Sequence, residues 1–577
     1  MVSAGAAQQL AQLDAVIARR MAAARTPGMA VAYFDRQTCH RVAVYGLASL
    51  EQRTPVTPRT LFQIGSITKS FTALAVVQLA EQGRLDLHRP VTDYLPWFRV
   101  QSTFAPITLH HLLTHSAGLV VVIDRSPDIR GAVWALRETE VAWPPGSRFF
   151  YSDAGYQTLA LVLEAVTGRP FASVIRSQIF EPLEMAESEA AVTHALRPRL
   201  ATGYRGLYDD RPPHRDHPLV PVTWMELSSG ECSIAATAAD MARYGRMWLN
   251  RGNGPHGPLV SPEGFELMTR PHISAGPSAA YGYGIAREQR DGTTSLAHGG
   301  GMPGYAAHLV ADLDHGVGLV TLSTRPQVSG ISHDLLAFWR AVSLGHTPPP
   351  IDVAPQEPRP VTEAAAYAGR YRLAVDGSDG YEPAGDCGAA ETLELAAAGE
   401  RLLLRHLGQE IDLEPRGRDR FYLPHLDFDR FLLQFRREPA PDGSPGAVRG
   451  AVFGPWQYAR EPHDLPSSPT GAVRAIEEVR VEEVRGARGG YRAYAGHYRS
   501  HHPWESNNFR VILRGEELLL VQPHGDETPL VPCSGRADEF WVGEAPTPQR
   551  IRFDQVADGR ALRATLAAVD YYRFFVP

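Results

Sequence analysis

Phe62-Gln-Ile-Gly-Ser-Ile-Thr-Lys69 is the stretch on which the reading of this chain turns. Phe62 to Gly65 has the character of an extended approach. From Ser66 to about Gln82 apolar residues recur at helical spacing, among them Phe71, Leu74, Val77 and Leu79, and Gly83 marks a C-terminal stop. Ser66 and Lys69 therefore share one face at the start of a helix, with Cβ atoms ~5–6 Å apart. An amine at that spacing can take the serine proton and make Oγ nucleophilic, while the helix start offers free N–H groups to a developing oxyanion. Gly65 lets a substrate approach the backbone. A capping serine beside a solvated lysine is the plainer alternative. Composition weighs against that alternative. Of the 57 basic residues 56 are arginine, and Lys69 is the only lysine in 577 residues. Arginine serves wherever a fixed positive charge is enough, but it cannot supply an amine that loses its proton.

Two further motifs follow in order. Tyr151-Ser-Asp153 comes after the rigid turn Trp143-Pro-Pro-Gly146 and opens a helix over about Ala154 to Thr167, ended by Gly168. A tyrosine beside a serine–lysine pair can relay protons. His298-Gly-Gly-Gly-Met-Pro-Gly304 reads as a strand edge whose glycines admit a ligand and whose histidine can bond a substrate or orient Tyr151. Another helix starts near Thr237, where Thr237 and Asp240 form a capping-box variant, and strands are expected at Ala306–Asp312 and Val317–Ser323.

The conjunction resembles the penicillin-recognising serine hydrolases: class C β-lactamases, D-Ala-D-Ala carboxypeptidases, D-stereospecific aminopeptidases and family VIII carboxylesterases. Their Ser-x-x-Lys matches Ser66-Ile-Thr-Lys69, their Tyr-x-Asn matches Tyr151-Ser-Asp153, and their Lys-Thr-Gly or His-x-Gly matches His298-Gly-Gly300. Ile107-Thr-Leu-His-His-Leu-Leu-Thr-His-Ser-Ala-Gly118 and Pro303-Gly304 also look like the family. The resemblance implies Ser66, Lys69, Tyr151 and His298 as catalytic residues. It further implies Asp153, Gly300 and Gly301 as substrate-binding or oxyanion positions, with the oxyanion held by the Ser66 and Gly301 N–H groups. Two departures stand out. Asp153 replaces the usual asparagine, so it can only accept hydrogen bonds; it can pair with Lys69 or receive a substrate ammonium. No lysine remains for a Lys-Thr-Gly triad, which favours the His-x-Gly members.

The fold class expected is α+β: a β-lactamase/transpeptidase-like catalytic domain over 1–347, a Pro-rich linker over 348–360, and two small lipocalin-like antiparallel β-barrels over 361–460 and 487–577 with a second linker over 461–486. Six of the thirteen residues from Pro348 to Pro360 are proline. The tandem barrels follow from a repeat: Tyr367-Ala-Gly-Arg-Tyr-Arg372 recurs as Tyr494-Ala-Gly-His-Tyr-Arg499, and Gly399-Glu-Arg-Leu-Leu-Leu404 as Gly515-Glu-Glu-Leu-Leu-Leu520. This layout looks like that of the D-aminopeptidases, where a barrel loop limits substrate size at the site mouth; Ser500–Asn508 is the stretch expected to do so here.

The function expected is a serine hydrolase acting through an acyl-enzyme on a short peptide or amide with a D-configured residue. A carboxylesterase or weak β-lactamase, a penicillin-binding-protein-type acyltransferase or cyclase, and a non-catalytic acyl-binding sensor are the alternatives. No cofactor or metal is required; the His111/His115 pair reads as a helix end, and Gly252-Asn-Gly-Pro-His-Gly257 as a surface loop. A net charge of −7 argues against nucleic acid or anionic membrane as partner. The expected partner is the small-molecule or peptide substrate, with a homodimer left open. Met1 to Arg25 reads as an Ala-rich amphipathic helix without signal-peptide pattern, so the expectation is cytoplasmic.

Overall fold

Segregation of helical and strand patterning before and after the proline stretch carries through to three dimensions. The structure, a computed structural model, describes residues 4–123, 128–290, 292–325, 330–351, 359–376, 390–439, 445–462, 490–501 and 507–574. The chain divides into two units, Met1–Leu207 with Pro218–Pro355, and Tyr208–His217 with Gln356–Pro577.

The first unit is built on a nine-stranded antiparallel sheet in which Val317–Ser323 pairs with Gly28–Asp35, so strands from early and late in the unit lie side by side within it. Alternation along Gly28–Asp35 sends Met29, Val31 and Tyr33 into a core shared with Leu13, Ile17 and Met21 of one terminal helix and Leu335 and Trp339 of the other. The predicted strands appear as Tyr305–Asp312 and Val317–Ser323, joined in register from Asp312↔Val317. The helix after Ser66 runs Thr68–Glu81 and is buried from Thr68 to Leu79, a central helix rather than an amphipathic surface one. The next runs Asp153–Thr167 and stops at Gly168 in the left-handed conformation. At Thr237 half of the expected capping box forms: the hydroxyl takes the Asp240 N–H at 3.2 Å. The Asp240 carboxylate is instead drawn to the Ser188 hydroxyl (2.9 Å) and the Glu187 N–H (3.0 Å), because those buried donors have no water. Gly252–Gly257 lies in a short hairpin, Asn253–Gly254 against Gly257–Pro258.

The second unit holds two barrels. The first is a nine-stranded antiparallel sheet whose edge strands, Gln409–Asp412 and Glu414–Pro415, are consecutive in the chain. The second is closed, with Tyr498↔Arg573 joining its first and last strands. The sequence repeat is one device used twice. Tyr371 OH donates to Tyr367 O at 2.7 Å and Tyr498 OH to Tyr494 O at 2.8 Å. Each barrel's last strand then sends an arginine back to the repeat: Arg460 donates to the carbonyls of Ala366 and Ala368, Arg573 to those of Ala493 and Ala495. Ile512, Leu519 and Val521 of the second barrel join the core of the first.

Tyr208–His217 lies with the barrels, a division the uninterrupted domain over 1–347 does not anticipate. Charge explains it. Asp209 takes Arg499 at 2.8 Å; Asp210 pairs with Arg430 and Arg510; His214 meets Glu414 at 3.0 Å. Burial alone would raise the Asp210 carboxyl, but Arg211, Arg510 and Arg430 hold it well below the carboxylate range. Residues 352–358 of the first expected linker, 463–486 of the second, and 502–506 of the Ser500–Asn508 stretch lie outside the described residues.

Candidate active site

Gly65–Ile67 forms a single 3-10 turn ahead of the helix, and Phe62–Gln63 is tied to Ala235–Ala236. The turn delivers Ser66 and Lys69 to one face. Lys69 is fully buried; its Nζ donates to Ser66 Oγ at 2.9 Å and to Glu231 O at 3.2 Å, and pairs with Asp153 Oδ1 at 2.6 Å. Burial alone would lower the amine, yet the Asp153 carboxylate, aided by Tyr151, holds it above its ordinary value. The resting Lys69 is an ammonium.

Tyr151 stands over the pair, its ring 4.8 Å from Nζ, with its hydroxyl bonded to Lys69 and Ser66. Burial raises its pKa despite the ammonium, so the phenol is neutral. Asp153 starts the helix Asp153–Thr167 just inside the Ser152 cap, whose hydroxyl takes the Gly155 N–H. One turn of chain thus places both Tyr151 and Asp153 on Lys69.

The glycine strand closes the other wall. It runs Thr293–Met302 and lies against the Ser66 turn so tightly that a Cβ on Gly300 would fall 1.9 Å from Ile64 O. Gly65, with φ +51°, would put one 2.7 Å from Gly301 N. A Cβ on Gly301 meets nothing within 4 Å, so this stretch of backbone borders open space. The arrangement sets a nucleophile, a buried amine, a phenol and two accessible backbone donors around one opening, as acyl transfer requires.

His298, expected to orient Tyr151 or the substrate, makes its side-chain hydrogen bonds elsewhere than to Tyr151. Its Nδ1 donates to Gly299 O at 2.6 Å and its Nε2 accepts from Tyr281 OH at 2.9 Å, while the ring centroid lies 6.4 Å from that of Tyr151. Burial and the Lys69 ammonium push it down to about 3, so it is neutral. The histidine against Tyr151 is His115, ring centroids 4.2 Å apart, whose Nδ1 accepts the Ser152 N–H at 3.0 Å. It is buried and neutral for the same reasons. The sequence reads His115 as half of a helix-end pair; its φ of +56° is a feature that only the fold shows.

Glu231 was likewise missed. It is fully buried beside the ion pair, with Oε1 accepting from Gln157 at 3.0 Å and Ser229 bonded to Oε2. Burial first, then the Asp153 charge, raises it to about 7. No motif surrounds Gly230-Glu-Cys232, so only the fold brings it here.

Comparison with known proteins places the chain in a family. The Beta-lactamase family model matches residues 13–338, more than half of the chain. Penicillin-binding protein 4 of Amycolatopsis lactamdurans is 29% identical over 359 residues, spanning 60% of this chain and 93% of that protein. Teichoic acid D-alanine hydrolase of Staphylococcus aureus is 33% identical over 163 residues, 28% of this chain and 40% of that one. Among solved structures, the octameric penicillin-binding protein homologue from Pyrococcus abyssi superposes with a TM-score of 0.53 at 23% identity, covering 78% of this chain and 99% of its own. The chain belongs to the Beta-lactamase family, the penicillin-recognising serine hydrolases.

Proposed function

We propose that the protein hydrolyses amides or esters of D-configured acyl groups on short peptides, through an acyl-enzyme on Ser66. The observation that carries the reading is the fully buried Lys69 Nζ, bridging Ser66 Oγ at 2.9 Å and Asp153 Oδ1 at 2.6 Å. An ammonium cannot accept a proton, so Lys69 acts as base only as its own proton leaves. Asp153 is the acceptor in reach. Its side chain is 26% exposed, and a bound substrate that covers it removes the solvation that favours the separated charges. As Ser66 Oγ bonds to the substrate carbonyl carbon, its proton passes to Lys69 and the lysine proton to Asp153. The carbonyl oxygen takes the negative charge between the Ser66 and Gly301 N–H groups. Collapse expels the leaving amine or alcohol, which takes the Tyr151 proton; the phenol recovers a proton through Lys69. Water then attacks the ester by the same route.

One comparison supports a D-aminoacyl substrate: a relative bears the name teichoic acid D-alanine hydrolase. A carboxylesterase is the second reading, since nothing in the acylation step requires an amide. Intact-mass analysis after fluorophosphonate treatment is expected to show one adduct on Ser66, absent in Ser66→Ala. D-Ala-p-nitroanilide is expected to turn over faster than its L enantiomer, p-nitrophenyl acetate or nitrocefin. Faster turnover of the L enantiomer would overturn the stereochemical reading; the absence of any adduct would overturn the nucleophile.

A further inference from the structure

A cavity of about 120 Å³ opens where the catalytic strand ends. Met302 and Pro303, directly after Gly301, form one side; Gln63, three residues before Ser66, Tyr305 and Trp224 contribute others. Tyr305 is fixed there by its hydroxyl, which donates to Ala201 O at 2.6 Å. Arg197 is the only charged residue on the wall among the described residues. Its guanidinium lies 5.4 Å from the Trp224 ring centroid, a contact that orients a cation while leaving its N–H edge free. Among the described residues no carboxylate pairs with it.

A larger cavity of about 550 Å³ shares Arg197, Leu200, Thr202 and Pro221 with it. Two more arginines line that chamber, but Glu187 pairs with both, Arg59 at 3.1 Å and Arg199 at 2.6 Å. The carboxylate in the chamber's own lining, Glu51, accepts the Tyr204 hydroxyl at 2.6 Å. Among the described residues, Arg197 is thus the arginine of these walls left with a charge that no carboxylate pairs. Neither candidate cation nearer the nucleophile offers one, since Lys69 is held by Asp153 and His298 is neutral.

We propose that Arg197 is a specificity residue that binds a carboxylate of the substrate, in a subsite beginning at Met302, so that the preferred substrates are anionic. The proposal rests on the acyl-enzyme reading of Ser66. It names the class within that reading: short peptides or acyl derivatives with a carboxylate on the portion seated beyond the strand end. A guanidinium meets a carboxylate through two parallel N–H···O bonds, whereas a neutral ester of the same shape accepts without charge.

The test uses the full chain and two matched pairs. Mono-p-nitrophenyl glutarate against its methyl ester places the charge on the acyl side. 3-Carboxyphenyl acetate against its methyl ester places it on the leaving side. In Arg197→Ala, kcat/KM for the acid of at least one pair is expected to fall about ten-fold, mainly through KM, with its ester within two-fold of wild type. Arg197→Lys is expected to recover part of the loss. Added salt is expected to erode the acid preference of the wild type and not of Arg197→Ala, because a rim charge is screened. An unchanged acid-to-ester ratio in both pairs would overturn the subsite while Ser66 labelling and ester turnover persist. Loss of labelling and of ester turnover in the wild type would overturn the acyl-enzyme reading itself. Arg197→Gln, with its Tm, serves as the second variant if Arg197→Ala folds poorly.

Discussion

Lys69 is enclosed by the groups it serves. It has no exposure, and its single nitrogen meets Ser66, Asp153 and the Glu231 carbonyl within 3.2 Å. Lys69→Arg keeps the charge that pairs with Asp153 but cannot release a proton to it. Turnover of the best ester or anilide is expected to fall ~10²-fold or more. Circular dichroism and Tm measured alongside would show whether the fold persists. Unchanged turnover in Lys69→Arg would refute the base assignment. At this scale the sequence was informative where a residue type is scarce or chemically irreplaceable. Lys69 stood out by count and Tyr151 and Asp153 by spacing. His115 and Glu231 did not, because each reaches the site from a distant segment and neither sits in a spacing that chemistry demands.

Between elements, the site is a close packing of backbone on backbone. The strand Thr293–Met302 passes the turn Gly65–Ile67 with no room for a side chain at Gly300, and a Cβ there would also lie 3.3 Å from Ser66 N. Gly300→Ala is therefore expected to destabilise by about 1–3 kcal/mol. Because it pushes the proposed oxyanion donors apart, it is also expected to slow fluorophosphonate labelling of Ser66. Gly299→Ala, where a Cβ meets nothing within 4 Å, is the control and should match wild type in Tm. Equal Tm values for the two variants would refute the close-packing account. Helix limits at Thr68–Glu81, Asp153–Thr167 and Ala238–Leu249 fell near their expected places because caps and glycine stops are local signals. What Asp240 does was not local: its carboxylate serves Ser188 rather than its own helix end.

At the scale of the whole molecule, a set of histidines is held neutral by burial, and that ties stability to pH. Burial and neighbouring histidines lower His110 to about 4; burial also lowers His111 and His272, which with His88 surround it. In the second unit His217 is lowered to about 4 and His497 to about 3. Unfolded, each would titrate near 6.5. Below that pH the unfolded chain binds protons that the folded chain does not, so stability is complete above about 6.5 and falls as pH drops toward 4. Tm is expected to decrease between pH 7 and pH 5 at constant ionic strength; a flat profile would refute the assignment of these groups as buried and neutral. By itself the sequence determined the order and spacing of the three motifs, the change from mixed to all-β patterning after the proline stretch, and the doubled barrel. These are set by periodicity, turn chemistry and repetition, which are properties of short stretches. Only the tertiary structure decided that His298 serves Tyr281 while His115 backs Tyr151, that Tyr208–His217 joins the barrels, and that no carboxylate among the described residues pairs with Arg197. Each of those depends on which buried donors, acceptors and charges meet after segments up to 300 residues apart are packed. Pairing of that kind is fixed by the exclusion of water from the assembled fold, not by any stretch of chain alone.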